Sequence, residues 1–340
     1  MAEHGARSAA AACPALTGSE QLLGRARSRR EGLDLDRRRR LERLAGPDGI
    51  VAGLAIDHRD SLRVYLERRG LIGLTTTELG ALKAALVKVL APAASALMLD
   101  AELGQAAFES GVVPAAIGLI MPLEAQGYEV VGDGRVSALL EDWQAIAPSH
   151  HADATKLLLP YRVDHERSAA RQDALVAHVV DRCHRQGLPV VIEPVVYPWS
   201  SESAADFAHA YERLVVGAVA RLRPLGADLL KVPFPLLDLA TTGEARAGEA
   251  CRALADACAG TPWVLLGAGA GLDEFVDQIR LAGVAGASGF LAGRGIWGPA
   301  LSRDPAEAER LARDVALPAF ERCRAAARRF AQPLRPAPVA

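Results

Sequence analysis

The amino-acid sequence predicts a (β/α)₈ barrel, the α/β fold in which eight parallel strands alternate with helices. The first observation is that short apolar segments recur eight times between residues 50 and 294, with longer amphipathic segments between them. This alternation indicates parallel strands joined by right-handed helical crossovers. The second observation is their number, because eight such units within roughly 250 residues suit a closed barrel.

Each predicted strand is short and apolar enough to be buried on both faces. In chain order the eight segments are IVAGLAID (50–57), ALMLD (96–100), AAIGLIMP (115–122), DATKLLLP (153–160), PVVIEPVV (189–196), ADLLKVPF (227–234), PWVLLGAG (262–269) and ASGFLAGR (287–294). The segments 75–92, 167–187, 202–224 and 272–283 have helical spacing. A doubly wound open sheet is the alternative, but its usual glycine-rich fingerprint is missing after the first strand.

We expect the barrel to occupy residues 48–330, between an extension (1–47) and a tail (331–340). Residues 1–20 are Ala-rich and aperiodic, so we expect disorder there. Residues 20–45 combine many arginines with partial helical spacing, which predicts a helix packed under the barrel. The last ten residues contain three prolines and are expected to form a loose tail.

Composition argues against several classes of protein. The net charge of −2 creates no strong field toward nucleic acid or membranes, and no apolar run reaches the ~18 residues that span a bilayer. The first residues lack the order of a signal peptide. The five cysteines contain no C-x-x-C pair, and no histidine pair has metal-ligand spacing. We therefore expect a cytoplasmic protein without a metal or cofactor, and association into a homo-oligomer stays open.

Lysine is rare in this chain, since only four of its 39 basic residues are lysines. Arginine cannot replace lysine as an amine nucleophile, so each retained lysine is examined as a candidate for amine chemistry. Lys83 and Lys88 lie on an amphipathic segment, and we expect both on its solvated face. Lys156 and Lys231 lie inside apolar strand segments, where a charge is rare without a function.

The active site of such a barrel lies at the carboxyl ends of its strands. Charged residues of both signs stand at or just after these ends. They are Asp57, Asp100, Glu124, Lys156, Glu193, Lys231 and Arg294. We expect this ring to form a polar catalytic mouth, although a salt bridge is the alternative for any single member. His58 and Arg59 follow Asp57 directly, and together with Asp100 they are candidates for substrate contact.

Glycines cluster after the seventh and eighth strands, in GAGAG (267–271) and GRG (293–295). Barrels commonly bind phosphate at these two loops. Glycine lets backbone N–H groups approach the oxygens, and a guanidinium group adds paired donors. A simple tight turn is the alternative. The predicted anion-binding residues are Gly267, Gly269, Gly293 and Arg294.

Lys156 and Lys231 are expected to face the same cavity. Two nearby, partly desolvated ammonium groups lower each other's pKa, and a Schiff base with a ketone requires a free amine. Glu193 lies on the strand between them and is expected to shuttle protons. The alternatives are simple pairing of each lysine with a carboxylate and, for Lys156, a positioning role without a covalent bond.

The strand-end motifs resemble those of the class I tagatose 1,6-bisphosphate aldolases, in order, from about residue 37 to residue 300. They are RRRRLERLAGPDGIVAGLAIDHRDSL, ASALMLDAELG, DATKLLLPYRVD, VVIEPVVYP, DLLKVPFP and GASGFLAGRGIWG. The segments 189–198 and 262–298 also resemble the sulfofructosephosphate aldolases, a sister group. The resemblance implies the same barrel fold.

The resemblance also implies roles for individual residues. Lys231 corresponds to the Schiff-base lysine, Lys156 and Glu193 assist catalysis, and Arg294 binds an anion. Asp57 stands in the family's D-Q-R run.

Three positions depart from the family pattern. Gly267 stands where the family often has serine, and His58 replaces the usual glutamine. Pro233 stands two residues after the lysine that corresponds to the Schiff-base lysine, where the family often has glutamate. The resemblance implies that these positions face the substrate, so the identity of the sugar stays open.

The sequence therefore predicts a class I aldolase that cleaves a phosphorylated ketose, with tagatose 1,6-bisphosphate as the first candidate. The products would be dihydroxyacetone phosphate and an aldehyde such as glyceraldehyde 3-phosphate. Lys231 would attack C2, and Glu193 or Asp57 would remove the C4 hydroxyl proton. Alternatives are cleavage of 6-deoxy-6-sulfofructose 1-phosphate to sulfolactaldehyde, a sugar-phosphate-sensing regulator, and an isomerase that uses Glu193 as its base.

Overall fold

The computed structural model describes residues 31–267 and 269–335, and its centre is a closed barrel of eight parallel strands. In chain order, β1 to β8 are Val51–Ile56, Ala96–Leu99, Gly118–Pro122, Ala154–Pro160, Val190–Val195, Leu229–Val232, Trp263–Leu266 and Gly289–Ala292. Consecutive strands pair, and β8 closes the barrel against β1. The predicted fold is confirmed, because each of the eight predicted segments contains one barrel strand.

Helices surround the barrel between consecutive strands and after β8. They are Asp60–Glu67, Thr76–Leu90, Ala101–Glu109, Trp143–Ser149, Glu166–His184, Ala204–Leu222, Leu239–Thr242, Glu244–Cys258, Leu272–Val284, Arg294–Trp297, Pro305–Leu311 and Leu317–Phe330. A two-stranded antiparallel hairpin, Glu129–Val131 with Gly134–Val136, follows β3. In the described part of the chain, no helix combines the length and the apolar character that crossing a bilayer requires.

Residues 31–42 are helical, and the turn that follows closes the amino-terminal end of the barrel. Leu41 and Leu44 are buried among the apolar side chains of the barrel interior. Arg43 Nε lies 2.6 Å from Asp153 Oδ1, which ties this segment to the start of β4. A helix thus packs beneath the barrel where the sequence predicted one, whereas residues 1–30, including the predicted disordered segment 1–20, lie outside the described residues.

The described part of the C-terminal tail, residues 331–335, is bonded to the same end of the barrel. The Gln332 N–H donates to the Ala287 carbonyl at 2.8 Å, and the Leu334 N–H donates to the Gly49 carbonyl at 2.7 Å. Leu334 is buried with the barrel interior. The expectation of a loose tail is therefore wrong for these residues, and residues 336–340 lie outside the described part.

The helix Thr76–Leu90 carries the two lysines that the sequence placed on its solvated face. Lys88 is exposed and pairs with Glu309 at 2.8 Å, as expected. The expectation of a solvated side chain is wrong for Lys83, because this side chain is only 1% exposed and its ammonium pairs with Asp100 just after β2. The counter-charge that permits this burial comes from a different element of the fold, which helical spacing alone does not reveal.

Because Leu44 fills the closed end of the barrel, Leu44→Ala should lower the free energy of unfolding by about 2–5 kcal/mol. Leu35 lies on the preceding helix, residues 31–42, and its side chain is 48% exposed. Leu35→Ala should therefore change the free energy of unfolding by less than about 1 kcal/mol. Urea denaturation followed by circular dichroism measures both. Equal losses in the two variants would contradict a packed closure at this end.

Candidate active site

The carboxyl ends of the strands open onto a polar cavity of about 180 Å³. Residues that follow β1 and β3, and residues within β4, β5 and β6, line it together with residues near the hairpin. Its charged lining residues are Asp57, Arg59, Glu124, Lys156, Glu193 and Lys231. The closed barrel thus brings four residues that the sequence predicted as catalytic, Asp57, Lys156, Glu193 and Lys231, into one cavity.

Lys156 lies among three carboxylates at the centre of this cavity. Its Nζ is 2.7 Å from an Asp57 oxygen, 2.6 Å from a Glu124 oxygen and 3.4 Å from Glu193 Oε2. Burial opposes the charge of Lys156, but the attraction of the carboxylates outweighs it and raises the pKa of this lysine well above its usual range. The expectation that the neighbouring amine would lower this pKa is wrong for Lys156, because carboxylates surround it.

Lys231 has a different environment. In the described part of the chain, Glu193 is the one carboxylate within 4.0 Å of its Nζ, and Glu193 Oε1 lies at 2.8 Å. Both side chains are buried. Glu193 therefore stands between the two amines, with one carboxylate oxygen at Lys231 and the other facing Lys156.

Asp57 and His58 follow β1 directly. Burial opposes the charge of Asp57, but Lys156, His58 and Lys231 outweigh it, so the pKa of Asp57 lies well below its usual range. For His58, burial is the largest effect and lowers its pKa to about 3. Its ring packs edge-on against Trp297 at 5.4 Å between centroids. The site thus combines an ionised aspartate with a neutral imidazole.

Glu124 belongs to the ring of charged residues at the strand ends that the sequence predicted, although no individual role was predicted for it. It lies two residues beyond β3, is 8% exposed and lines the cavity. Burial raises the pKa of Glu124 even though the Lys156 ammonium lies beside it. The only sequence signal for this position was a single carboxylate after an apolar strand, which does not distinguish a site residue from a loop residue.

Arg59 and Asp100 were predicted to contact substrate. Arg59 lines the cavity and is buried, and its Nη2 donates to the Glu124 carbonyl oxygen at 2.6 Å. Asp100 is not among the residues that line the cavity. One of its oxygens accepts from the Leu103 N–H at 2.7 Å, and the other pairs with Lys83. Both oxygens of Asp100 are thus engaged away from the cavity, and no contact of this residue supports its predicted part in substrate binding.

The two glycine-rich loops meet beside the main cavity. Gly267, Gly269 and Gly293 line a second, much smaller pocket between the ends of β7 and β8. Gly269 has a φ of +94°, which an L side chain rarely adopts. A Cβ atom on Gly293 would lie 3.1 Å from the His58 ring, so glycine here leaves room for that ring. The structure therefore brings the predicted anion-binding glycines together, although Ala268 lies outside the described residues.

Arg294 begins the short helix that follows β8. Its Nη1 donates to the Ser61 carbonyl oxygen at 3.3 Å, and its guanidinium lies 5.7 Å from the centre of the Tyr65 ring. Burial lowers the pKa of Arg294. A half-buried guanidinium bound to one carbonyl oxygen keeps N–H donors for an anion.

Residues 52–298 match the model of the DeoC/LacD family of aldolases. The chain belongs to this family. The protein is therefore an aldolase, an enzyme that breaks or forms carbon–carbon bonds.

Relatives of this DeoC/LacD aldolase confirm the resemblance to tagatose 1,6-bisphosphate aldolases that the sequence motifs indicated. A tagatose 1,6-diphosphate aldolase of Streptococcus pyogenes serotype M3 is 30% identical over 265 residues, which is 73% of this chain and 81% of the relative. A tagatose 1,6-diphosphate aldolase of Staphylococcus haemolyticus is 29% identical over 290 residues, which is 81% of this chain and 89% of the relative.

Solved structures of other aldolases share the fold. A fructose-bisphosphate aldolase from Plasmodium falciparum superposes with a TM-score of 0.65 at 13% identity, covering 88% of this chain and 96% of that one. Another, from Slackia heliotrinireducens, has a TM-score of 0.58 at 18% identity, covering 88% and 90%. At these identities the likeness concerns the fold alone.

The low pKa of His58 predicts a pH dependence of stability. Its folded pKa of about 3 lies below the unfolded value, so the unfolded chain binds the proton first and stability falls as pH drops below about 6.5. Between pH 7 and pH 5 this loss should be on the order of 1–2 kcal/mol. His58→Gln should remove it, whereas His209→Gln, on the exposed face of its helix, should not. Urea denaturation at pH 7 and at pH 5 measures this loss of unfolding free energy. Identical losses in wild type and His58→Gln would contradict the argument that burial lowers the pKa of His58.

Proposed function

We propose that this aldolase cleaves a phosphorylated ketose through a Schiff base between Lys231 and the C2 carbonyl. The observation that carries the proposal is the unequal pairing of two buried amines in one cavity: Lys156 meets three carboxylates and Lys231 meets one. An ammonium held by three carboxylates has no lone pair for a carbonyl carbon. The nucleophile is therefore Lys231.

Glu193 serves the amine chemistry in this proposal. Its Oε1 lies 2.8 Å from Lys231 Nζ, so it can take a proton from the amine during attack on C2. The protonated Glu193 then donates to the carbinolamine hydroxyl, which leaves as water and produces the iminium ion. The same carboxyl group acts in the reverse sense when water hydrolyses the imine.

The iminium ion makes cleavage of the C3–C4 bond feasible, because it accepts the electron pair of that bond and becomes an enamine. The Lys156 ammonium supports this step as a fixed positive charge beside the substrate hydroxyls, where alkoxide character develops. Reprotonation of the enamine at C3 and hydrolysis of the imine release dihydroxyacetone phosphate. The C4 hydroxyl proton passes to a neighbouring carboxylate, Glu193 or Asp57, and the C4 fragment leaves as an aldehyde.

The names of the relatives and the glycine loops support a phosphorylated substrate. Both relatives are called tagatose 1,6-diphosphate aldolases, and the loops after β7 and β8 are where barrels commonly bind phosphate. Arg294 stands at the end of the second loop with donors to offer. We therefore propose tagatose 1,6-bisphosphate or a close analogue as substrate, with glyceraldehyde 3-phosphate as the aldehyde.

Lys231→Arg keeps a cation beside Glu193 but cannot form an imine, so turnover should fall by more than about 1,000-fold in a folded protein. Borohydride with dihydroxyacetone phosphate should label wild type at Lys231 and leave the variant unlabelled. Mass spectrometry of the digested protein locates the adduct. Lys88→Arg, which alters an exposed lysine paired with Glu309, is the matched control and should keep both activity and label.

Two results would contradict this mechanism. A borohydride adduct on Lys156 would reverse the roles of the two amines. Activity that disappears in EDTA and returns with zinc would place a metal ion in the role that we give to the iminium ion.

Arg294→Ala should raise KM for tagatose 1,6-bisphosphate about 10- to 100-fold with a smaller effect on kcat, since a hydrogen bond to a charged group contributes about 1.5–3 kcal/mol. The control is Arg313→Ala, which removes an exposed guanidinium from the C-terminal helical region. Fructose 1,6-bisphosphate and 6-deoxy-6-sulfofructose 1-phosphate complete the substrate panel. An unchanged KM for every phosphorylated ketose would locate the anion away from Arg294.

A further inference from the structure

The hairpin that follows β3 carries Arg135 on its second strand, Gly134–Val136, where the side chain is partly exposed. Among the residues that the structure describes, no carboxylate lies within 4.0 Å of its guanidinium. The hydrogen bonds of Arg135 within this part of the chain are made by its backbone, whose N–H and carbonyl are both engaged. Such a cation, beside a catalytic cavity, is suited to bind an anion.

Two tyrosine rings hold this guanidinium in place. Its central carbon lies 4.2 Å from the centre of the Tyr197 ring and 4.6 Å from the centre of the Tyr128 ring. Tyr197 follows β5, and its hydroxyl accepts from the Arg135 N–H at 2.9 Å, whereas Tyr128 precedes the first strand of the hairpin. An aromatic ring contacts the face of a guanidinium, so the N–H donors along its edge remain available for an oxyanion.

Arg162, in the same wall of the barrel mouth, shows what a purely structural arginine looks like here. Its guanidinium lies 4.4 Å from the centre of the Trp199 ring, but its edge is occupied by Asp164 at 2.9 Å and Glu202 at 2.7 Å. With 2% of its side chain exposed, Arg162 fastens the segment after β5 to the end of β4. Arg135 has comparable aromatic contacts without the carboxylates, so the fold does not neutralise its charge.

The hairpin turns the face that carries Arg135 toward the cavity. Its other face packs against the helix that follows β4, because a Cβ atom on Gly134 would collide with the Ser168 side chain. Arg135 and Ser137 share the opposite face, since side chains alternate along a strand. Ser137 lines the cavity, and its hydroxyl donates to the Leu158 carbonyl on β4 at 2.6 Å. Arg135 therefore lies about 7 Å along the strand from a residue of the cavity wall.

The hairpin lies across the barrel from the glycine loops. In the closed ring of strands, β3 is four strands away from β7 in either direction. The cavity lining runs from Lys231 on β6 through Glu193 and Lys156 to Gln126 at the base of the hairpin. A ketose bound through C2 to Lys231, with its C1 phosphate at the loops after β7 and β8, thus extends its C6 end toward the hairpin.

We propose that Arg135 binds the anionic group at C6 of the ketose, a phosphate or a sulfonate, and thereby selects substrates that carry a second anion. This inference rests on the proposed Schiff-base function and deepens it, because the two anions of the substrate receive separate sites. Phosphate and sulfonate oxygens both accept the paired N–H donors of a guanidinium, so the shared chemistry is that of a tetrahedral oxyanion.

Tagatose 1-phosphate lacks the C6 anion and therefore separates the two sites. Arg135→Ala should raise KM for tagatose 1,6-bisphosphate about 10- to 100-fold and change KM for tagatose 1-phosphate by less than about threefold. Arg294→Ala should raise KM for both substrates, because both carry the C1 phosphate. Steady-state release of dihydroxyacetone phosphate measures each value.

Three further variants sharpen the comparison. Arg135→Lys keeps a positive charge but loses the planar fork, so it should recover part of the affinity for the bisphosphate. Arg135→Gln keeps a long polar side chain without the charge, and it tests the proposal if Arg135→Ala fails to fold. Arg171→Ala is the matched control, because Arg171 is an exposed arginine that pairs with Glu129 on the other face of the same hairpin at 3.4 Å. It should leave both KM values unchanged.

The substrate 6-deoxy-6-sulfofructose 1-phosphate distinguishes the two C6 anions. Its KM should also be compared between wild type and Arg135→Ala. A larger rise for this substrate than for the bisphosphate would support the proposal with sulfonate as the bound group, and the reverse would support it with phosphate.

The remaining outcomes overturn the proposal. An equal rise in KM for tagatose 1-phosphate and the bisphosphate would make Arg135 a structural support of the hairpin. An unchanged KM for every ketose with a C6 anion would leave that anion to another cation, such as Arg59.

The borohydride label distinguishes failure of this inference from failure of the Schiff-base function. Dihydroxyacetone phosphate carries no C6 anion, so wild type and Arg135→Ala should be labelled equally at Lys231. A label in both proteins with an unchanged KM for the bisphosphate would overturn the role of Arg135 alone. Absence of the label in wild type would refute the Schiff-base function, and this inference with it.

Discussion

A buried ammonium ion must be neutralised by its neighbours, and in this barrel that requirement organises the active site. Lys156 is 1% exposed, and the carboxylates that surround it follow or lie on three different strands. Removing Lys156 would leave these carboxylates without their shared counter-charge in a low-dielectric interior. The ends of β1, β3 and β5 are therefore held in register around β4 by electrostatics as well as by the barrel's hydrogen bonds.

The same cluster gives chemically similar groups different properties. Lys156 is kept as an ammonium, whereas Lys231 meets one carboxylate and faces the cavity. Asp57 is held ionised by the neighbouring lysines, whereas for Glu124 burial outweighs the attraction of Lys156 and raises its pKa. The residues of the cluster are only lysines and carboxylates, so residue type does not distinguish nucleophile, electrostatic support and proton carrier. Geometry distinguishes them, because it sets the environment of each group.

The two ends of the barrel differ in the polarity of the side chains that they bury. The amino-terminal end is closed by apolar side chains, among them Leu44 and Leu334, which stabilise the protein without chemistry. The carboxyl end concentrates buried charge, which costs desolvation free energy. Barrels of this type tolerate the desolvation cost of charged groups at the carboxyl end, because their strands are packed on both faces along the rest of their length.

The sequence by itself determined the barrel, the position of its eight strands and the two lysines inside them. Strand and helix periodicities are local, and Lys156 and Lys231 stand out because arginine serves almost everywhere else in the chain. Only the tertiary structure decided what those lysines meet. Lys156 and Asp57 are 99 residues apart along the chain, and Lys83 is buried through Asp100 on another element. Protonation depends on such distant partners and on burial, so neither the charge state of Lys156 nor its contact with Glu124 could be inferred from local pattern.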